Sequence, residues 1–156
     1  MRVSRPLAIL LAVAAGACSA SVSDAASQAR EAAEQRVEQA MMIRITAGER
    51  ILIAKLEDSA AGRDFAALLP LDLTLSDYNR TEKIADLPRR LSIEGAPDGI
   101  DPAIGDIAYY APWGNLAIFY SDFGYSRGLV RLGRLDGGAE RLAKLEGPVR
   151  IEILAP

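Results

Sequence analysis

Histidine is absent from this 156-residue chain, and cysteine occurs once, as Cys18. Without histidine there is no side chain whose ordinary pKa suits proton transfer near neutrality. Ser-His and Cys-His nucleophile pairs are excluded too, as is the commonest zinc ligand. A lone cysteine closes no internal disulfide and builds no thiolate cluster. Charge of one sign is also scarce. The formal net charge of −3 becomes −5 once Arg2 and Arg5 go with the first seventeen residues. Nucleic acid, which demands a basic surface, is therefore excluded as a partner. No dinucleotide, P-loop or calcium-loop spacing occurs, so the scattered Asp101, Asp106, Asp122 and Asp136 and the pair Gly137-Gly138 read as turn chemistry. No cofactor or metal is expected.

Long hydrophobic runs are missing as well. The longest, Leu7 to Ala17, is too short to span a bilayer as a helix but fits the apolar core of an export signal behind Arg2 and Arg5. It closes on Ala14-Ala15-Gly16-Ala17-Cys18. Small residues before a cysteine resemble the bacterial lipobox, with Ala15 where leucine is most usual. The expectation is a signal over 1–18 with Cys18 lipidated; simple cleavage after Ala17 is the alternative. Ser19 then suggests outer-membrane sorting, with the protein on the periplasmic face and touching membrane only through its anchor. Residues 19–41 are rich in Ser, Ala, Glu, Gln and Arg. They form helices readily but offer no broad apolar stripe to bury, so a solvated tether is expected.

What is present lies between 42 and 156 and suits one compact domain. Ile43-Arg44-Ile45-Thr46 and Ile51 to Leu56 flank Gly48 as a hairpin. Ser59 can cap a short helix over Ala61–Leu69 that Pro70 ends. Leu71, Leu73 and Leu75 alternate with polar residues as a strand. Residues 79–90 read as polar and irregular, anchored by Ile84 and Leu87, and Arg89-Arg90 as solvated surface. A glycine- and proline-rich loop covers 94–105. Two apolar strands then flank the turn Pro112-Trp113-Gly114. A strand over Leu129–Leu135, a helix around Arg141–Leu145 and a last strand over Val149–Leu154 complete an all-β barrel or sandwich with helices at its ends.

Seven of the nine aromatic residues fall between Tyr109 and Tyr125, so this stretch must hold core, binding surface, or both. Trp113, at a hairpin tip, either floors a ligand groove or caps the barrel. Asn115 either bonds a ligand or satisfies its own neighbouring backbone. Alternation sends Phe119 and Tyr120 to opposite faces; for these and Tyr110 the core competes with a groove. Tyr125, in the loop Phe123-Gly124-Tyr125-Ser126, is the ring most expected to meet a ligand. Glu82, near Tyr78, would be a proton-transfer candidate if buried, and a plain salt bridge with Lys83 or Arg80 if not.

The segments Ser59 to Pro70, Asp77-Tyr78 through Ile84, Glu94-Gly95-Ala96-Pro97, Gly105-Asp106-Ile107 and, above all, Tyr109 through Tyr120 are similar to the bacterial cyclophilin-like fold proteins. That resemblance implies an all-β, closed antiparallel barrel of about eight strands with two short capping helices. Prolyl isomerase activity would be the simplest extrapolation. Cyclophilins carry Phe-His-Arg and Gln-Gly-Gly-Asp segments, and neither occurs here; a shared fold does not carry a shared function. The expected function is a binding module for a small molecule or peptide, with a weak prolyl isomerase or a histidine-free acid-base enzyme as the alternative. The oligomeric state is left open.

Overall fold

The computed structural model of the chain describes residues 41–154. The expected export signal with Cys18, and all but Met41 of the tether expected over 19–41, lie outside the described residues; Met41 itself packs into the core. Ten strands are present: β1 (Met42–Ala47), β2 (Arg50–Leu56), β3 (Leu71–Tyr78), β4 (Glu82–Asp86), β5 (Gly99–Ile100), β6 (Asp106–Tyr110), β7 (Asn115–Phe119), β8 (Ser126–Arg127), β9 (Leu129–Leu135) and β10 (Gly147–Ile153), with helices α1 (Ala60–Ala66) and α2 (Ala139–Leu142). Eight strands close in the order β1-β10-β3-β4-β7-β6-β9-β2, while β5 and β8 form a separate ribbon. Every barrel pairing is antiparallel. The expected closed barrel with two short helices is thus present.

Strand alternation fills the interior. Ile43 and Ile45, Leu52 and Ala54, Ile107 and Tyr109, Leu116 and Ile118, and Val130 and Leu132 share one buried cluster with Phe65 of α1 and Leu142 of α2. Ser59 caps α1 by accepting from the Gly62 N–H at 3.0 Å. The helix ends at Ala66 rather than Leu69; Leu68 and Leu69 donate instead to Phe65 and Ala66 in tight turns before Pro70.

Two local features depart from the sequence pattern. Residues 82–86, expected to be irregular, form β4, a full member of the barrel between β3 and β7. Between β6 and β9 the register slips at Ile107/Ala108, so that Asp106 faces Arg134 and Ala108 faces Arg131. This bulge brings two residues three apart, normally of opposite parity, to one carboxylate. The buried Asp106 accepts from Arg131 Nε at 2.9 Å and from Arg134 Nε at 2.7 Å.

Candidate functional site

The same alternation that fills the barrel leaves a second apolar surface outside it. Ala108, Ala117, Phe119 and Leu129 form a buried cluster distinct from the core, with Ile84, Ile100 and Tyr110 packed on it. Cross-strand pairing orders this face into rows. Asn115 stands beside Tyr110, which stands beside Leu129; Ala117 lies between Ile84 and Ala108; Phe119 lies beside Glu82, which faces Tyr78. Larger side chains therefore flank a middle row in which two of three positions are alanine. Over that row lies a cavity of about 120 Å³, lined chiefly by Tyr78, Glu82, Tyr110, Trp113, Asn115 and Phe119. Its length along β7, from Asn115 to Phe119, is roughly 13 Å at the strand rise of about 3.3 Å per residue.

The walls are aromatic. Trp113 meets Tyr110 edge-on at 5.3 Å and 81°, and Tyr78 at 5.6 Å and 86°. It thereby arches from the β6–β7 turn back towards β3, its outer face 58 % exposed. At the other end Phe123 leans on Phe119 at 5.5 Å. Perpendicular rings of this kind leave concave space between them, because none can stack flat on its neighbour.

Two polar side chains enter this apolar space. Asn115 is 3 % exposed; its Nδ2 donates to the Leu116 carbonyl at 3.5 Å, while its Oδ1 is buried without a partner. Such orphaned acceptors are rare and carry a desolvation penalty of about 1–3 kcal/mol. Glu82 is 6 % exposed, accepts from the Thr81 hydroxyl, and has no lysine or arginine within ion-pair distance among the described residues. Burial pushes its carboxyl above the ordinary range, against the Thr81 hydrogen bond, and the negative Asp77 adds to the rise.

The salt bridge between Glu82 and Lys83 that the sequence suggested does not form. The two are adjacent on β4 and face opposite ways. Lys83 is 0 % exposed and turns inward, where its Nζ donates to Asp77 at 2.7 Å. Asp77 also accepts from the Tyr120 hydroxyl at 2.6 Å. The Lys83 bond, then the Tyr120 bond, hold Asp77 below the usual carboxylate range, whereas burial and Asp77 push Tyr120 up to about 12.

The hairpin tip that carries Trp113 is tied from behind. Arg90 donates to the carbonyls of Ala111 at 2.5 Å and Pro112 at 3.3 Å. The buried Tyr109 hydroxyl accepts from the Leu91 N–H at 3.2 Å. Arg89, meanwhile, forks onto Asp64 of α1 at 2.6 and 2.8 Å. The pair expected to be merely solvated is exposed, but both members bond to the fold. Gly128 completes the support: with φ at +84°, a Cβ there would meet Pro112 at 2.8 Å.

Six of the seven residues singled out from the sequence line this one cavity: Tyr78, Glu82, Tyr110, Trp113, Asn115 and Phe119. Tyr125 does not; it stands 65 % exposed on the neighbouring loop. Phe123 takes the place Tyr125 was expected to fill. Ile84, Ala117, Ser126 and Leu129 also line the space and were not foreseen. A period-two reading of 82–86 would have found Ile84 beside Glu82, whereas nothing in the local sequence distinguishes Ala117 from a core alanine. Among the described residues no group of three or more Asp, Glu or Cys side chains converges as metal ligands would.

A family model described as the cyclophilin-like family matches residues 45–154. Among solved structures, a hypothetical protein from Archaeoglobus fulgidus, determined in solution, is similar at a TM-score of 0.57 and 18% identity, covering 75% of this chain and 97% of that one. That likeness concerns the fold alone. No curated protein matches the chain.

Proposed function

The chain belongs to the cyclophilin-like family, and from that premise we propose that it is a binding module whose outer-face cavity receives a small molecule or a side chain of a peptide. One observation carries this reading: the buried, unpartnered Asn115 Oδ1 borders an aromatic-walled space of about 120 Å³. Ligand sites are typically concave, mostly apolar and furnished with a few fixed polar groups, and an orphaned acceptor is the mark of a missing donor. A space of this size is comparable with the apolar cavity of about 150 Å³ that takes up benzene, so one small ring or side chain fits within it.

The enzyme alternative draws on Glu82, whose raised pKa is what a general acid or base requires. Against isomerisation, no arginine among the described residues lines the cavity. The proposal further takes the protein to be exported and held at the envelope by a lipid on Cys18, as the sequence pattern of 1–18 suggests.

Trp113 is the single tryptophan and reports directly on the cavity. Its emission should shift when the full-length chain is titrated with toluene-sized fragments or Xaa-Pro dipeptides. Ala117→Leu, which fills the middle row, should abolish the shift while the melting temperature holds. An equal response from the Leu variant, or silence from the native chain towards every probe, overturns the reading. Acceleration of proline isomerisation in a short peptide, lost in Glu82→Gln, would favour the enzyme instead.

A further inference from the structure

We propose that the cavity is built for an organic cation, a protonated amine on an apolar stem, whose N–H groups meet the Glu82 carboxylate while its charge lies against the rings of Tyr78 and Trp113. This ligand class deepens the binding reading above and depends on it.

The polar groups buried in the cavity are unmet acceptors. Asn115 presents an oxygen without a donor. Glu82 presents a carboxylate whose described bond comes from the Thr81 hydroxyl, and a carboxylate has room for several donors. Among the described residues no lysine or arginine lines the space. The adjacent lysine cannot supply the charge, because Lys83 projects to the opposite side of β4 and is engaged by Asp77. An uncompensated buried carboxylate is unfavourable unless a cation pairs with it. None of the described residues supplies that cation, and the cavity holds Glu82 where one could arrive from solvent.

The rings select in the same direction. Aromatic faces carry negative quadrupole density and attract ammonium and guanidinium groups. Trp113, the strongest of these, stands nearly perpendicular to both Tyr78 and Tyr110, so it is stacked flat on neither ring. An anionic ligand would meet a carboxylate and three electron-rich rings. A neutral one would leave Glu82 without a counter-charge. An alkylammonium meets the carboxylate and the rings beside it together, with its stem over Ile84 and Ala117 towards Asn115. The cavity of about 120 Å³ limits that stem to a few carbons.

The test uses the full-length chain with Trp113 emission as readout, and n-pentylamine and 1-pentanol as probes of equal heavy-atom count. At pH 7.5 the amine should bind at least tenfold more tightly than the alcohol. Glu82→Gln should remove that preference and melt at or above the native temperature. Equal binding of both probes, or an undiminished amine preference in Glu82→Gln, overturns the cation inference while the binding module stands. Tighter binding of pentanoate overturns it in the same way. Silence towards the amine overturns it as well, and it overturns the binding module only if the toluene-sized fragments and dipeptides are silent too.

Discussion

Two neighbouring residues of β4 show how differently a buried charge can be treated. Lys83 is wholly enclosed, and Asp77 neutralises it at 2.7 Å, with Tyr120 bonded to the same carboxylate. Glu82, on the other face, is nearly as enclosed and has no cation. The first arrangement ties the end of β3 to β4; the second carries a standing penalty. The sign of that penalty follows from linkage. Burial raises the Glu82 pKa in the folded chain, so folding favours its neutral form. Stability is then fully retained below the unfolded value of about 4.3 and declines as pH rises through the raised folded value. Glu82→Gln should accordingly melt higher than the native chain at pH 7, and the difference should vanish below about pH 4. Thermal melts across that range check it; a lower melting temperature at pH 7 would mean that the carboxylate is satisfied by bonds not seen here.

At the scale of elements, the β6–β7 hairpin and its backing segment form the working unit. The two strands supply Tyr109, Leu116 and Ile118 to the core and Tyr110, Asn115, Ala117 and Phe119 to the cavity. Their tip carries Trp113, and Arg90 holds that tip by two carbonyls. Arg90 is exposed, so Arg90→Ala should change global stability by no more than about 0.5–1 kcal/mol. It should nevertheless weaken capture of the probes several-fold, because a loosened Trp113 must be ordered on binding. Titration by emission, alongside a denaturant melt, separates the two effects; a large stability loss with unchanged capture would assign Arg90 to the fold alone. Most of these elements were legible from alternation and turn residues. The exception, β4, was hidden because Asn79 to Lys83 and Arg89-Arg90 are polar on both sides of a short strand. Reading it as irregular also kept Glu82 and Lys83 on one side, where a salt bridge looked natural.

For the whole molecule, closure of the sheet divides labour between its two faces. The inner face holds the hydrophobic core plugged by α1 and α2; the outer face of β4-β7-β6 carries the cavity. The first barrel strand begins at Met42, and Met41 before it packs into the core and accepts from the Leu56 N–H at 2.7 Å. The proposed anchor on Cys18 is tested apart from this fold. Cys18→Ala should move the full-length protein from the membrane pellet to the soluble fraction without altering its melting temperature. Unchanged sedimentation would exclude a lipid on this cysteine.

The amino-acid order by itself determined the all-β class, the hairpins, the Ser59 cap and the aromatic cluster around Trp113, since each depends on neighbours two to four positions away. Tyr110, Trp113 and Phe119 were also visible as cavity residues, because rings crowded into so short a stretch cannot all enter one core; Tyr78, Glu82 and Asn115 were visible as polar or aromatic groups close to them in the sequence or the resemblance. Only the tertiary structure decided that Tyr125 stands aside while Phe123 fills the end, that Ala117 makes the space, and that Glu82 is buried without a cation. These outcomes hinge on which strands lie side by side and on which face each side chain leaves the sheet. Long-range pairing settles both, and no local pattern encodes it.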